Sequence, residues 1–157
     1  MIDLKNKDRK KTGSKNRNLE LNQALEAIHF GFKTLISKPD ERLAEIGYSR
    51  VHHRILYFIA RNSECSVNGL LVVMGVSKQY LNRPLRQLTE DGYVDVKQDS
   101  QDKRVKRIKL SKLGIQLEFE LTEDQRKRFE KVFRSAGPQA EEGWRKVMQL
   151  LVESGEN

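Results

Sequence analysis

Apolar positions along this chain fall into a series of helical stripes, interrupted once by strand-like alternation. Leu21, Leu25, Ile28, Phe32 and Leu35 recur at steps of four, three, four and three, a spacing that lines one face of a helix. The stripe predicts a first helix from about Leu19 to Ser37, ended by Pro39 and Asp40. A second helix begins near Ser49, a suitable N-cap, and buries Val51, Ile55, Phe58 and Ile59. After the turn Asn62-Ser63-Glu64, a short helix from about Val67 to Met74, capped by Ser66, presents Leu70, Leu71 and Val73 before Gly75 breaks it. Ser77 caps a fourth helix whose Leu81, Leu85 and Leu88 share a core-facing stripe. The runs Tyr93–Lys97 and Lys103–Leu110 then flank a turn-rich Gln98–Asp102, which predicts a β-hairpin. Ile108 and Leu110 alternate in phase for one buried face, whereas Val105 does not, so the ladder should loosen toward the tip. Ser111 caps a long helix to about Ser135, Gly137-Pro138 interrupts it, and a last helix from Gln139 to Val152 carries Ala140, Trp144, Val147, Met148 and Leu151 on its apolar side.

The fourth helix has a second face, and that face carries the functional signal. Gln79, Asn82, Arg83 and Arg86 recur opposite the leucine stripe, with Ser77 and Lys78 at its start. These side chains hydrogen-bond to base edges and phosphates: Arg pairs with guanine, Asn or Gln with adenine. A short helix, a glycine turn and this polar-faced helix have the spacing of a helix-turn-helix, and the hairpin behind it has the place of a wing. The predicted fold is therefore mainly α with a small β-hairpin wing, a winged helix-turn-helix head over about 49–110. Pro84 sits inside the reading helix, where it removes the bond to the carbonyl of Tyr80 and biases Arg83 away from helical dihedrals.

The hairpin is strongly basic. Lys97, Lys103, Arg104, Lys106, Arg107, Lys109 and Lys112 face only Asp99 and Asp102. Arg104 at the tip suits an adjacent minor groove, with Asp102 placed to hold its guanidinium in a bidentate pose. Lys103, Lys106 and Arg107 suit phosphates. The rest of the composition agrees: 157 residues carry a net charge of +8, which argues for an anionic partner. Residues 1–18 hold seven cations against two acids and almost nothing apolar, so they read as an unstructured basic arm ahead of a single domain over 19–157. Hydrophobic content is low, at 37%. Apolar stripes on long charged helices, about 19–38 and 111–153, would then be covered by a second copy. A two-fold dimer would set two reading helices about 34–36 Å apart on a pseudo-palindrome.

Other chemistries find little footing. No apolar run approaches the roughly 20 residues of a membrane span, the start lacks a secretory core, and the lone Cys65 forms no internal disulfide, so a cytoplasmic protein is expected. No spacing suggests a catalytic triad, a phosphate loop or any cofactor site, which points away from an enzyme. His29, His52, His53 and Cys65 form no zinc pattern. Two alternatives stay open: a winged module that binds DNA without sequence choice or binds protein, and a redox-sensing repressor that uses Cys65, which sits just ahead of the third helix.

In order of parts, residues 19–153 resemble the MarR family of bacterial winged-helix transcription regulators. The family's opening of the second helix is matched by Tyr48-Ser49 and Ile55-Leu56, with His52 where Gln is common. The reading helix resembles Val76-Ser77-Lys78-Gln79-Tyr80-Leu81-Asn82-Arg83, ending Leu88-Thr89-Glu90-Asp91-Gly92-Tyr93-Val94. The wing signature appears as Asp102-Lys103-Arg104 and Leu110-Ser111-Lys112-Leu113-Gly114. Pro84 departs from the pattern, since an ordinary apolar helix former is expected there. The resemblance implies a triangular homodimer joined by its first and last helices. It further implies a repressor released from DNA by a small, often aromatic or phenolic, anion. His29, Phe32, Lys33, His52 and Arg54 would line such a pocket.

Overall fold

The computed structural model describes the backbone of residues 5–155 and the side chains of residues 15–155. Among the described residues, six helices and three short strands follow in the order α1 (Lys5–Glu45), α2 (Arg50–Arg61), β1 (Cys65–Ser66), α3 (Val67–Met74), α4 (Lys78–Glu90), β2 (Val94–Gln98), β3 (Lys106–Leu110), α5 (Lys112–Ala136) and α6 (Pro138–Glu153). Contacts divide the chain into two units, Met1–Ser37 and Lys38–Asn157. Among the described residues, no helix is long and apolar enough to cross a membrane.

The first unit consists of most of α1. That helix starts at Lys5 rather than near Leu19, so the backbone from residue 5 to 18 is helical where an unstructured arm is expected. The lysines and arginines of this stretch are good helix formers, and no proline interrupts them. The part of the expected arm at residues 1–4 lies outside the described residues. Leu19, Leu21, Leu25, Ile28, Phe30 and Phe32 are exposed, and Arg17 pairs with Glu20 one turn away at 2.9 Å.

The second unit holds the core. Leu43, Ile55, Leu56, Ile59, Leu70, Leu81, Leu88, Val94, Ile108 and Leu121 are all but sealed from water; burying a side chain of this kind contributes roughly 1.5–3 kcal/mol each. Pro39 does not end α1, which continues to Glu45. Proline removes only one backbone bond. The turn beyond it is held by the buried Leu43 and by ion pairs to α5, Lys38 to Asp124 at 3.0 Å and Arg42 to Glu120 at 2.7 Å.

Three of the four expected serine caps close their helices through the side chain. Ser66, Ser77 and Ser111 accept from the amides of Gly69, Tyr80 and Gly114 at 3.0, 3.2 and 3.0 Å. Ser49 also caps α2, but there the reciprocal bond runs from the Ser49 amide to Nδ1 of His52, at 3.0 Å. In α3 the buried pair is Leu70 and Met74, while Val73 turns to solvent.

The hairpin supplies two strands, the central β3 and the edge β2, of a three-stranded antiparallel sheet ordered β1-β3-β2. Val94 faces Leu110 and Val96 faces Ile108, and the ladder stops at Gln98 and Lys106. Val105 falls in the turn beyond it, donating to the carbonyl of Asp102 and accepting from Asp99, both at 2.9 Å. The third strand, in which Cys65 pairs with Ile108 and Ser66 with Arg107, has no counterpart in the sequence reading. Two residues are too few to show alternation.

Candidate nucleic-acid interface

Helix α4 is two-faced in space as in sequence. Leu81, Leu85 and Leu88 enter the core, while Lys78, Gln79, Asn82, Arg83 and Arg86 are exposed on the far side, with Ser77 at the N-cap. Arg86 is the only one of this set with a recorded ion pair among the described residues, a loose one to Glu90 at 3.7 Å. The helix runs unbroken through Pro84: burial of Leu81 before it and of Leu85 and Leu88 after it outweighs one missing bond. The polar face is therefore a continuous surface of donors and acceptors over about two and a half turns.

The wing is organised by Asp99, a role that no local sequence pattern marks in full. Asp99 accepts from the amides of Gln101 and Asp102 through Oδ1, at 2.8 and 3.1 Å. Its Oδ2 accepts from Nε of Arg107 at 2.6 Å. Chiefly because of that guanidinium, and also the two amides, the Asp99 carboxyl is lowered to about 2. Arg107 also donates to the carbonyl of Glu64 at 3.3 Å, so this residue, expected on a phosphate, instead ties the wing to the turn before β1. Lys109, two residues on along β3, also reaches Glu64, at 3.7 Å. An aspartate opening a turn, with amides two and three residues on, is a recognised local motif. Its pairing with Arg107 could not be read from spacing alone.

Asp99 gives a pH prediction. A group whose carboxyl is lower in the folded chain than in the unfolded one stabilises above its unfolded pKa, near 3.9. That stabilisation is lost as pH falls toward about 2. Acid titration followed through the amide resonances of Gln101 and Asp102 should show the wing loosening in this window, and D99N should show it loosened already at neutral pH.

At the tip, Asp102 holds Arg104 as expected in kind but not in detail. One oxygen, Oδ1, accepts both the Arg104 amide at 3.0 Å and its Nε at 3.2 Å, so the grip is not bidentate at the carboxylate. The Arg104 side chain is 92% exposed. Lys103 and Lys106 are exposed beside it.

The residues expected to line an effector pocket are not gathered by the second unit. His29, Phe32 and Lys33 lie on α1 in the first unit, and His29 packs edge-on to Phe30. Arg54 is exposed on α2. His52 is buried, its ring stacked on Tyr48 at 4.5 Å and bonded at both nitrogens, to Ser49 and to Oε1 of Gln87 at 3.1 Å. A shallow groove of about 320 Å³ between the end of α1 and α5 is lined instead by Lys38, Pro39, Arg42, Glu120 and Asp124 among others. Cys65 is half-buried on β1, and burial pushes its thiol up, against the thiolate that a redox sensor needs.

Comparison with known proteins agrees with this geometry. Residues 46–105 match the family model described as MarR family. Over 134 residues the chain is 40% identical to the HTH-type transcriptional regulator PetP of Rhodobacter capsulatus, covering 85% of this chain and 81% of that protein. The fold is similar to the crystal structure of Streptococcus pneumoniae FabT in complex with DNA, with a TM-score of 0.76 and 17% identity, covering 88% of this chain and 97% of that one. It is also similar to the S. aureus MepR–DNA complex, with a TM-score of 0.69 and 15% identity, covering 82% of this chain and 94% of that one. With the polar-faced α4, the basic wing and a curated relative at this identity, the chain belongs to the MarR family of winged-helix transcriptional regulators.

Proposed function

We propose that this MarR-family regulator works as a homodimeric repressor that reads a pseudo-palindromic duplex, with α4 in the major groove and the wing tip over the adjacent minor groove. The observation that carries the reading is the exposed, largely unpaired polar face of α4, in a chain whose wing tip also presents an exposed Arg104 bonded to Asp102. Lys78, Gln79, Asn82, Arg83 and Arg86 read bases or grip phosphates, Arg104 enters the minor groove, and Lys103 and Lys106 meet phosphates. Dimerisation is supported by apolar faces that one chain leaves uncovered: Leu21, Leu25 and Ile28 on α1, and Trp144, Val147 and Leu151 on α6. The role is binding and not catalysis. Release by a small aromatic or phenolic anion rests on the family resemblance.

Fluorescence anisotropy on a duplex selected from random sequence tests this. Six exposed cations per protomer, with about half of the dimer's set engaged, give an expected log–log salt slope of about −5. An operator whose half-sites repeat about one helical turn apart should be recovered. Equal competition by random duplex would favour the sequence-independent module, and no binding at low salt would remove the reading altogether.

A further inference from the structure

Arg107 is the pivot of a chain of bonds that runs from the sheet to the wing tip. It stands on the central strand β3, opposite Ser66 of β1 and Lys97 of β2. Its Nη1 donates to the carbonyl of Glu64 at 3.3 Å, and its Nε to Oδ2 of Asp99 at 2.6 Å. Glu64 is a fixed point. Its φ is 61°, a conformation that a residue other than glycine keeps only when its surroundings hold it. From Asp99 the chain continues outward. Oδ1 of Asp99 accepts the amides of Gln101 and Asp102 at 2.8 and 3.1 Å. The Asp99 amide donates to the carbonyl of Val105, and the Val105 amide to that of Asp102, both at 2.9 Å. Asp102 then takes the amide and Nε of Arg104 on its own Oδ1, at 3.0 and 3.2 Å. Bond by bond, the turn before β1 is connected to the arginine at the tip.

By charge alone Asp99 is misplaced. It is an acid in a basic wing that faces a polyanion, and it occupies a cation that would otherwise be free to neutralise a phosphate. What it supplies instead is order. An exposed arginine loses its rotamer freedom on binding unless the surrounding structure has already restricted it. We propose that Asp99 and Arg107 are positioning residues for DNA binding: without touching the duplex themselves, they hold the turn that sets Arg104 in its binding pose. The inference rests on the reading of the wing tip as a DNA contact.

A strut and a direct phosphate contact differ in the sign of one substitution. If Arg107 gripped a phosphate, D99N would release it toward the duplex and remove a negative charge from the interface, so binding would tighten. If Arg107 is a strut, D99N weakens binding although it makes the wing more positive. Asparagine is suited to this test. It keeps an oxygen for the amides of Gln101 and Asp102 but presents an NH2 donor to Arg107 in place of the second carboxylate oxygen. Only the link between Asp99 and Arg107 is cut.

The test is a double-mutant cycle on the full-length protein: parent, D99N, R107A, R104A and the D99N/R104A pair. Anisotropy on the selected duplex is read at one pH and ionic strength, with far-ultraviolet circular dichroism at the same temperature. D99N and R107A should each weaken binding by about fivefold to thirtyfold, the effect of ordering one loosened side chain in each of two protomers. The D99N/R104A pair should bind within about twofold of R104A, because the strut then has nothing left to position. A general weakening of the fold would instead carry through in full to the R104A background. A D99N that binds as tightly as the parent or more tightly, an R107A that binds normally, or a D99N loss that persists without Arg104 would each overturn the proposal. If D99N does not fold, arginine side-chain NMR of the parent decides. The Arg107 Nε–H signal must stay in place when duplex is added while that of Arg104 moves, and an Arg107 signal that moves as far refutes the idea. An R104A that binds like the parent is a separate result: it strikes the wing-tip reading itself, and this inference with it.

Discussion

Alanine in place of Gly114 is expected to lower the melting temperature by about 6–12 °C, the largest loss of stability from any single added methyl group in this fold. A Cβ at this position would lie 2.1 Å from the carbonyl oxygen of Tyr93 and 3.1 Å from its carbon. The obstacle is backbone, so it cannot swing aside like a side-chain tip. Overpacking of this kind costs about 3 kcal/mol, and each kcal/mol moves the midpoint of a chain this long by about 2–4 °C. The close approach exists because three bonds converge there. The Ser111 amide donates to the Tyr93 carbonyl at 3.1 Å, the Ser111 hydroxyl donates to the Gly92 carbonyl at 2.6 Å, and the Gly114 amide donates to that same hydroxyl at 3.0 Å. They clamp the start of α5 onto the turn that leads from α4 into β2. S111A removes the cap but adds no clash, and should cost only about 1 kcal/mol. Thermal melts at fixed protein concentration check the ordering, because an assembling protein melts later when more concentrated. A G114A variant as stable as the parent would mean that Tyr93 and α5 separate without cost.

The second large effect concerns binding alone. R104A should weaken operator binding by about thirtyfold to a hundred-and-fiftyfold while leaving helicity and melting temperature as they are. The guanidinium is 92% exposed and its partner Asp102 about half exposed, so the fold loses nothing of consequence when it goes. In the complex each protomer would lose a charge-assisted contact worth about 1–1.5 kcal/mol, and two protomers give about 2–3 kcal/mol, which corresponds to the stated range. The salt slope should fall by about 2 for the same reason, one phosphate-scale charge per protomer. D102A should fall between parent and R104A, because it frees the arginine without removing it. Anisotropy with circular dichroism on the same samples separates the two readouts, and undiminished affinity in R104A would take the wing tip out of the interface.

These two residues show how unevenly the site could be read from the chain. Arg104 was legible because a basic tip between two short strands is a local pattern, and so was the polar face of α4, because helical spacing sorts residues onto faces. Arg107 looked equivalent to Arg104 by composition, but its register opposite Lys97 and Ser66 turns it toward Asp99 and Glu64. Gly114 was visible as part of a motif, while the reason for it, a carbonyl 21 residues earlier in the chain, was not. His52 and His53 cannot share a helix face, and a reading of α2 as a one-sided amphipathic helix leaves at least one of them at the surface. Both are buried because α2 lies between α4 and α5, one histidine bonded to each.

The chain by itself determined the order of its helices, three working serine caps, the leucine stripe and polar face of α4, and the loosened wing tip. All of these follow from periodicity and capping within a few residues, where backbone geometry leaves little choice. Tertiary structure decided the third strand at Cys65–Ser66, the passage of α1 through Pro39, the burial of two adjacent histidines and the diversion of Arg107 into a structural ion pair. Each of these depends on a partner found dozens of residues away, and a pattern of apolar and polar positions records that a face must be covered without recording what will cover it.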